Sequence, residues 1–371
     1  MPNKLVCKSR IVIITNIPAP YRMDIYNCLA AHLGYDNFHV IFCAEKEANR
    51  DWVIDHNGFA HTFLKTNYIT WKGRYIHYNP DASAVLKKLK PDIIITTGFN
   101  PTHLLAFAYG VLTGKVHIPM TDGTYDSELK LSGLHRLVRR FVYRFSKTFI
   151  GASLGALRLY ESYGINADRF YQSHLCANNA AFTALNTTHK PYDLMFSGRF
   201  SSEKNPLFAL DVAAGVAKNL NRPIAILMLG SGPLLDQAKE YALSLAPHVK
   251  ATFPGFLQQA ELPALYNSAK VFLFPSSWDP WGVVANEACA AGQAVIVSPH
   301  AGVANELICH DENGYVLELN LDNWVTHATE LLSNPALLAQ FSKESQRKVS
   351  AYTYEAAAQG IINAVKGTLT Q

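Results

Sequence analysis

The stretch "SSWDPWGVVANEACAAGQAVIVSPHAG", residues 276–302, sets two tryptophans around Asp279 and Pro280, continues through an alanine-rich segment and ends on the aliphatic run AVIV. With "VFLFPSS" (271–277) before it, the order reads strand, loop, short helix, strand, which is the repeating unit of a parallel sheet. Asp279 then falls in the strand-to-helix loop and Glu287 in the second helical turn, both near the carboxyl edge of that sheet. Singly, Glu287 reads as an acid near a helix terminus and Asp279 as a turn residue before a proline. Together they form a pair of hydroxyl acceptors beside the first-turn amides of Gly282, Val283 and Val284, donors that suit an anion.

The same alternation extends in both directions. The first half offers the strands "RIVIIT" (10–15), "FHVIFCA" (38–44), "DIIITTG" (92–98), "VHIPMTDG" (116–123) and "KTFIGAS" (147–153), separated by helical stretches such as "YRMDIYNCLAAHL" and "DASAVLKKLK". After the polar "ALNTTHKPYD" (184–193) the pattern restarts with "DLMFSG", "IAILMLG", "KATFPGF", "VFLFPSS" and "AVIVSP". Short aliphatic strands alternating with helices predict an α/β protein of two Rossmann-like, doubly wound parallel-sheet domains facing across a cleft, with ligands outside the carboxyl ends of the strands. The expected division is 1–185, 186–351 and a C-terminal helix at 352–371 that packs on one of the domains.

With 371 residues, 49% hydrophobic and 17% charged, the chain has the composition of a folded globular protein. A net charge of +4 is too small to indicate a nucleic-acid partner. Six scattered cysteines without a CxxC pair read as reduced, mostly buried thiols and hold no zinc pattern. The run "IVII" near the start is too short for a signal peptide, and no stretch reaches the ~18 apolar residues of a membrane span. A cytoplasmic protein is the expectation.

"MFSGRFSSEKN" (195–205) ends a strand in a loop that carries Arg199 and Lys204 just before the helical "PLFALDVAAGVAKNL". An arginine fork and a lysine at a helix N-terminus suit a diphosphate, although two basic residues in a loop also read as solvated surface. The blocks "SGRFSSEKNP", "GSGP", "FPGFL", "DPWGVVANEACAAGQAVIVSPHAGVANELI" and "ENGYVLEL", in this order, resemble those of the family 4 glycosyltransferases of the GT-B fold, of the bacterial cell-surface polysaccharide type. The resemblance covers essentially the whole second half and, more loosely, the first through "TNIPAPYRMDIYNCL".

What the resemblance implies is a retaining transfer of a sugar from a nucleoside diphosphate sugar (a UDP- or GDP-sugar) to a hydroxyl of a glycan or a lipid-linked acceptor. Arg199 and Lys204 would hold the diphosphate, Glu287 the ribose, Asp279 the transferred sugar, and Gly282, Val283 and Val284 would offer amides, with Phe256 and Leu257 beside the base. No DxD-like acidic pair stands in this site, so metal-independent chemistry without a resident cofactor is expected. Three departures stand out. Asp279 occupies a position where the family has Glu. "NIPAPYR" replaces a Gly-rich loop, placing Asn16 and Arg22 as candidates for the acceptor or a phosphate. Asp122 in "MTDGTYDS" stands where relatives carry a histidine, and is a candidate for assisting the leaving group.

In "KLSGLHRLVRRFVYRFSK" (130–147), Leu134, Leu137, Val138, Phe141 and Phe145 recur at helical spacing, with Arg136, Arg139, Arg140, Arg144 and Lys147 on the other side. The apolar stripe packs on the first sheet, or the helix meets an anionic membrane surface, or both hold; a protein peripheral on the inner face of the membrane follows from the second. Two rival readings are a nucleotide-sugar-binding protein without turnover and a sugar-nucleotide epimerase of the same architecture. The absence of GxGxxG after the first strand argues against a dehydrogenase.

Overall fold

Aliphatic runs of the first half become the interior of one parallel sheet. The computed structural model describes residues 9–47, 58–71, 74–129, 131–183, 189–255 and 257–370. Its first unit contains β1 (Ile11–Thr15), β2 (Phe38–Phe42), β3 (Ala60–Phe63), the antiparallel pair β4 (Tyr68–Trp71) and β5 (Arg74–His77), then β6 (Ile93–Thr96), β7 (Val116–Thr121), β8 (Phe149–Gly151) and β9 (Phe170–Gln172). The seven-stranded sheet runs β3-β2-β1-β6-β7-β8-β9, all parallel, so the strand order reverses between β1 and β6. Val12, Ile13, Ile14, Ile94 and Ile95 are wholly buried, as expected where helices cover both faces. The helices of this unit are α1 (Pro20–Leu33), α2 (Ala82–Leu89), α3 (Pro101–Leu112), α4 (Tyr125–Leu129), α5 (Gly133–Arg144) and α6 (Leu154–Glu161).

The second unit opens with α7 (Asn179–Thr183) and builds a six-stranded parallel sheet from β10 (Tyr192–Ser197), β11 (Ile224–Leu229), β12 (Val249–Gly255), β13 (Ala269–Phe274), β14 (Ala294–Val297) and β15 (Gly314–Val316). Their order, β12-β11-β10-β13-β14-β15, reverses between β10 and β13. Helices α8 (Pro206–Leu220), α9 (Leu235–Ser244), α10 (Leu262–Asn267), α11 (Val283–Ala290), α12 (Leu321–Ser333) and α13 (Pro335–Val349) complete it. The last helix, α14 (Tyr354–Thr370), belongs to the first unit: it packs on α1 and on β7, β8 and β9, burying Ala357, Ala358, Ile361, Ile362, Ala364 and Val365.

The units divide at Leu175 and Cys176, ahead of the polar stretch 184–193 expected to be the linker, of which 184–188 lie outside the described residues. The reason is α7, which is tied to the second unit: Asn267 Nδ2 donates to the Phe182 carbonyl at 2.6 Å and Thr183 Oγ1 to that of Ala290 at 3.4 Å.

Helix α5 corrects one expectation. Of its stripe, Leu134, Leu137, Phe141 and Phe145 are exposed, although Phe141 and Phe145 each meet the Phe107 ring at 6.0 Å and Val138 packs on the same cluster; Val142 and Tyr143 face the interior. Arg139, expected on the solvent face, is part-buried against Glu128 at 2.5 Å. The pairing with Glu128, eleven residues back, draws Arg139 inward.

Candidate active site

Neighbouring strands at a reversal of strand order send their following loops apart and leave a crevice at their carboxyl ends. In the second unit those strands are β10 and β13, and the loop after each carries the residues singled out in the sequence. Two hydrogen bonds stitch the two loops together: the Ser277 backbone N–H donates to the Glu203 carbonyl at 2.8 Å, and the Asn205 side-chain Nδ2 to that of Pro275 at 2.8 Å. Lys204 Nζ consequently reaches Asp279 Oδ2 at 2.6 Å and the Trp278 carbonyl at 3.3 Å. The other carboxylate oxygen of Asp279 accepts the backbone N–H of Trp281 at 3.1 Å, so both oxygens of this acid are engaged. Arg199 lies exposed in the loop after β10, near Glu203.

Glycines let these loops approach. Gly230, in "GSGP" after β11, has φ +124°, and a Cβ there would stand 2.0 Å from the carbonyl oxygen of Gly198, beside Arg199. Gly282 caps α11 with φ +102°, and a Cβ there would lie 2.2 Å from the ring of Phe274. No side chain caps α11, so its first-turn amides at Val283 and Val284 remain suited to an anion. Gly282→Ala combines positive-φ strain with this overlap; it is expected to cost about 1–3 kcal/mol of stability, read by denaturant unfolding, and to weaken nucleotide binding by moving the α11 N-terminus.

Glu287 sits deeper, 6% exposed, with the Tyr266 ring hydroxyl beside it. Burial pushes its carboxyl up from the ordinary 4.5 to about 7, a shift that the Tyr266 hydroxyl partly offsets. The next residue back, Asn286, accepts from the indole N–H of the buried Trp281 at 2.9 Å and fixes the α11 entry. Tyr266 was not singled out in the sequence: it lies on α10, in no motif with Glu287, and only the aromatic next to the polar "NSAK" could have drawn attention to it.

Arg199, Lys204, Asp279, Gly282, Val283, Val284 and Glu287 therefore all belong to the loops and helix at one strand reversal. Leu257 follows β12, two strands from β10, and among the described residues no hydrogen bond ties it to them. Phe256 lies outside the described residues.

The first unit assembles its own group at the reversal between β1 and β6. Asn100 Nδ2, after β6, donates to Asn16 Oδ1, after β1, at 2.7 Å. Asn100 Oδ1 accepts from the His103 backbone N–H, and the His103 ring contacts the Ile14 carbonyl at 3.2 Å. Burial pushes His103 down to about 4, so this ring is neutral and structural. Arg22 on α1 ion-pairs with Asp122, after β7, so these two candidates act as one unit. Asn100 was missed because its partner is distant in sequence. Among the described residues no three His, Cys, Asp or Glu side chains group so as to hold a metal ion.

Residues 178–348 match the family described as glycosyl transferases group 1. An uncharacterized glycosyltransferase of Methanocaldococcus jannaschii is 29% identical over 175 residues, 47% of this chain and 44% of that protein. The UDP-Gal:α-D-GlcNAc-diphosphoundecaprenol α-1,3-galactosyltransferase of Escherichia coli is 26% identical over 154 residues, 41% of this chain and 39% of that protein. The chain thus spans less than half the length of these curated relatives. The crystal structure of Anabaena HepE in complex with UDP superposes with a TM-score of 0.75 at 15% identity, covering 96% of this chain and 99% of that one. That likeness establishes the fold of two Rossmann-like parallel-sheet domains.

Proposed function

We propose that this protein is a glycosyltransferase that moves a sugar from a nucleoside diphosphate sugar to a hydroxyl of a glycan or lipid-linked acceptor, with retention at the anomeric carbon, in cell-surface polysaccharide or glycolipid synthesis. The observation that carries this is the joining of Lys204 to Asp279 beside the uncapped N-terminus of α11, with Glu287 buried one turn on. A diphosphate needs cations and amide donors, and a ribose needs a carboxylate acceptor; this arrangement supplies both. The UDP bound to HepE and the UDP-sugar and diphospholipid in the name of the E. coli relative support the same substrate classes.

In the proposed reaction the bond between the anomeric carbon and the diphosphate oxygen breaks. Negative charge develops on the leaving phosphate, where Arg199, Lys204 and the α11 amides stabilise it electrostatically; no metal or resident cofactor takes part. The acceptor oxygen forms the new bond to the anomeric carbon, and its proton passes to a phosphate oxygen of the leaving group. Asp279 orients Lys204 and stands nearest the transferred sugar. Asn16 and the Arg22–Asp122 pair are assigned to the acceptor or the leaving phosphate. No described helix is long and apolar enough to cross a membrane, and work at the inner membrane face is proposed to use α5.

The test is a thermal-shift screen against UDP, GDP, ADP and their hexose conjugates, with mass-spectrometric detection of transfer. One nucleotide class is expected to stabilise the protein, by ~2.7 kcal/mol at a hundredfold excess over Kd, and Arg199→Ala is expected to abolish most of this. If no nucleotide stabilises the wild type, the proposal fails. Stabilisation without any release or transfer of sugar would favour a binding protein instead.

A further inference from the structure

The exposed side of α5 presents two adjacent rows. Arg136, Arg140 and Arg144 follow one another at four-residue spacing, and beside them run Leu134, Leu137, Phe141 and Phe145, from 70% exposed at Leu134 to 46% at Phe145. Large apolar side chains held in water next to a line of guanidinium groups are an interfacial pattern. Among the described residues no acid forms an ion pair with those three arginines.

A pocket of about 430 Å³ opens between α4, α5 and α6 where the two rows begin. Arg136, Arg140, Tyr125 and Ser162 supply its polar lining, and Leu129 and Leu137 its apolar wall. One acid, Glu128, reaches it, but that carboxylate is buried and already taken: it accepts from Arg139, whose guanidinium lies 4.7 Å over the Phe99 ring, and from the Tyr163 hydroxyl. With Glu128 neutralised, the charge facing the pocket is that of Arg136 and Arg140. Arg136 is further oriented by donating to the Leu129 carbonyl at 3.1 Å. Two guanidinium groups one helical turn apart, with the Tyr125 hydroxyl in the same lining and an apolar wall leading to exposed leucine and phenylalanine, match a phosphate that carries acyl chains; the Ser162 hydroxyl is engaged with the Leu159 carbonyl at 2.6 Å.

We infer that this pocket binds the phosphate headgroup of an anionic phospholipid, and that Leu134, Leu137, Phe141 and Phe145 enter the acyl boundary of the same bilayer. The inference deepens the proposed work at a membrane face by giving α5 a defined lipid site where a diffuse basic surface would treat all its cations alike. Diffuse attraction depends on the number of charges near the surface, whereas a headgroup site depends on which ones are removed.

The experiment uses the full chain and vesicles of one part phosphatidylglycerol to two parts phosphatidylcholine, with pure phosphatidylcholine as the control. Two charge-matched variants are compared: Arg136→Gln with Arg140→Gln inside the pocket, and Arg144→Gln with Lys147→Gln outside it. The pocket pair is expected to weaken binding at least ~tenfold more than the outer pair. Ser162→Trp, which fills the pocket and changes no charge, is expected to weaken binding as well. Soluble dihexanoyl phosphatidylglycerol should raise the wild-type melting temperature and leave that of the pocket pair unchanged. Equal losses from the two pairs, or no binding to anionic vesicles, would overturn the proposal. Equal protection by glycerol 3-phosphate would also overturn it, by assigning the pocket to a free phosphate compound. Stabilisation by UDP is measured on the same samples, so a failure of the transferase reading shows there and stays separate from the vesicle result.

Discussion

Lys204→Ala lowers kcat/KM for sugar transfer by about 10²–10³-fold, the expected loss when one preorganised donor to a developing anion is removed. Two effects add. The ammonium at 2.6 Å from Asp279 disappears, and Asp279, with only 15% of its side chain exposed, is left as an uncompensated negative charge in the proposed diphosphate site. The second effect has its own signature. Converting Asp279→Asn in the Lys204→Ala background should restore part of the lost affinity, so the double variant falls short of the sum of the single losses. Lys204→Arg retains the charge and should lose far less. Steady-state kinetics of wild type, Lys204→Ala, Asp279→Asn, the double variant and Lys204→Arg decide the matter: a Lys204→Ala enzyme within threefold of wild type would remove this lysine from the site.

The second large effect concerns Glu287 and runs in opposite directions for stability and binding. Its folded pKa of about 7 lies above the ordinary 4.5, so between these values the native state holds a proton that the unfolded chain has released. Stability therefore falls as pH rises from about 4.5 to about 7 and levels off above. Glu287→Gln removes this dependence. It is expected to match wild type near pH 4.5 and to exceed it at pH 8 by up to roughly 3 kcal/mol, measured by denaturant unfolding at both values. Nucleotide affinity changes the other way. A carboxylate accepts two ribose hydroxyls and an amide oxygen serves them poorly, so Glu287→Gln should bind weakly at every pH. Wild-type affinity should weaken as pH falls below 7. A wild-type affinity flat from pH 5.5 to 8 would show that this carboxyl does not meet the ligand.

The burial that raises Glu287 was not readable from the sequence, whereas much of the frame was. Strands like IVII and IIIT are buried on both faces and announce themselves as unbroken aliphatic runs. The edge strands β3 (AHTF) and β9 (FYQ) are only half-buried, carry polar residues and gave no such signal. For the site, Lys204, Asp279, Gly282 and Glu287 come together because the doubly wound order β12-β11-β10-β13-β14-β15 sets β13 beside β10, although two strands separate them in the chain. The pairings that determine chemistry did not emerge: Tyr266 beside Glu287, Asn100 on Asn16, and Glu128 turning Arg139 inward all join positions that share no local pattern.

The position of α14 orders events during synthesis. Thr148 Oγ1 donates to the Ala364 carbonyl at 3.0 Å, and Gly360 lies so close to the Gln172 carbonyl that a Cβ would stand 1.8 Å from its oxygen. The apolar row of α14 closes the first unit, yet the ribosome makes it after the entire second unit. The first unit therefore lacks its cover over β7, β8, β9 and α1 until α14 has been made.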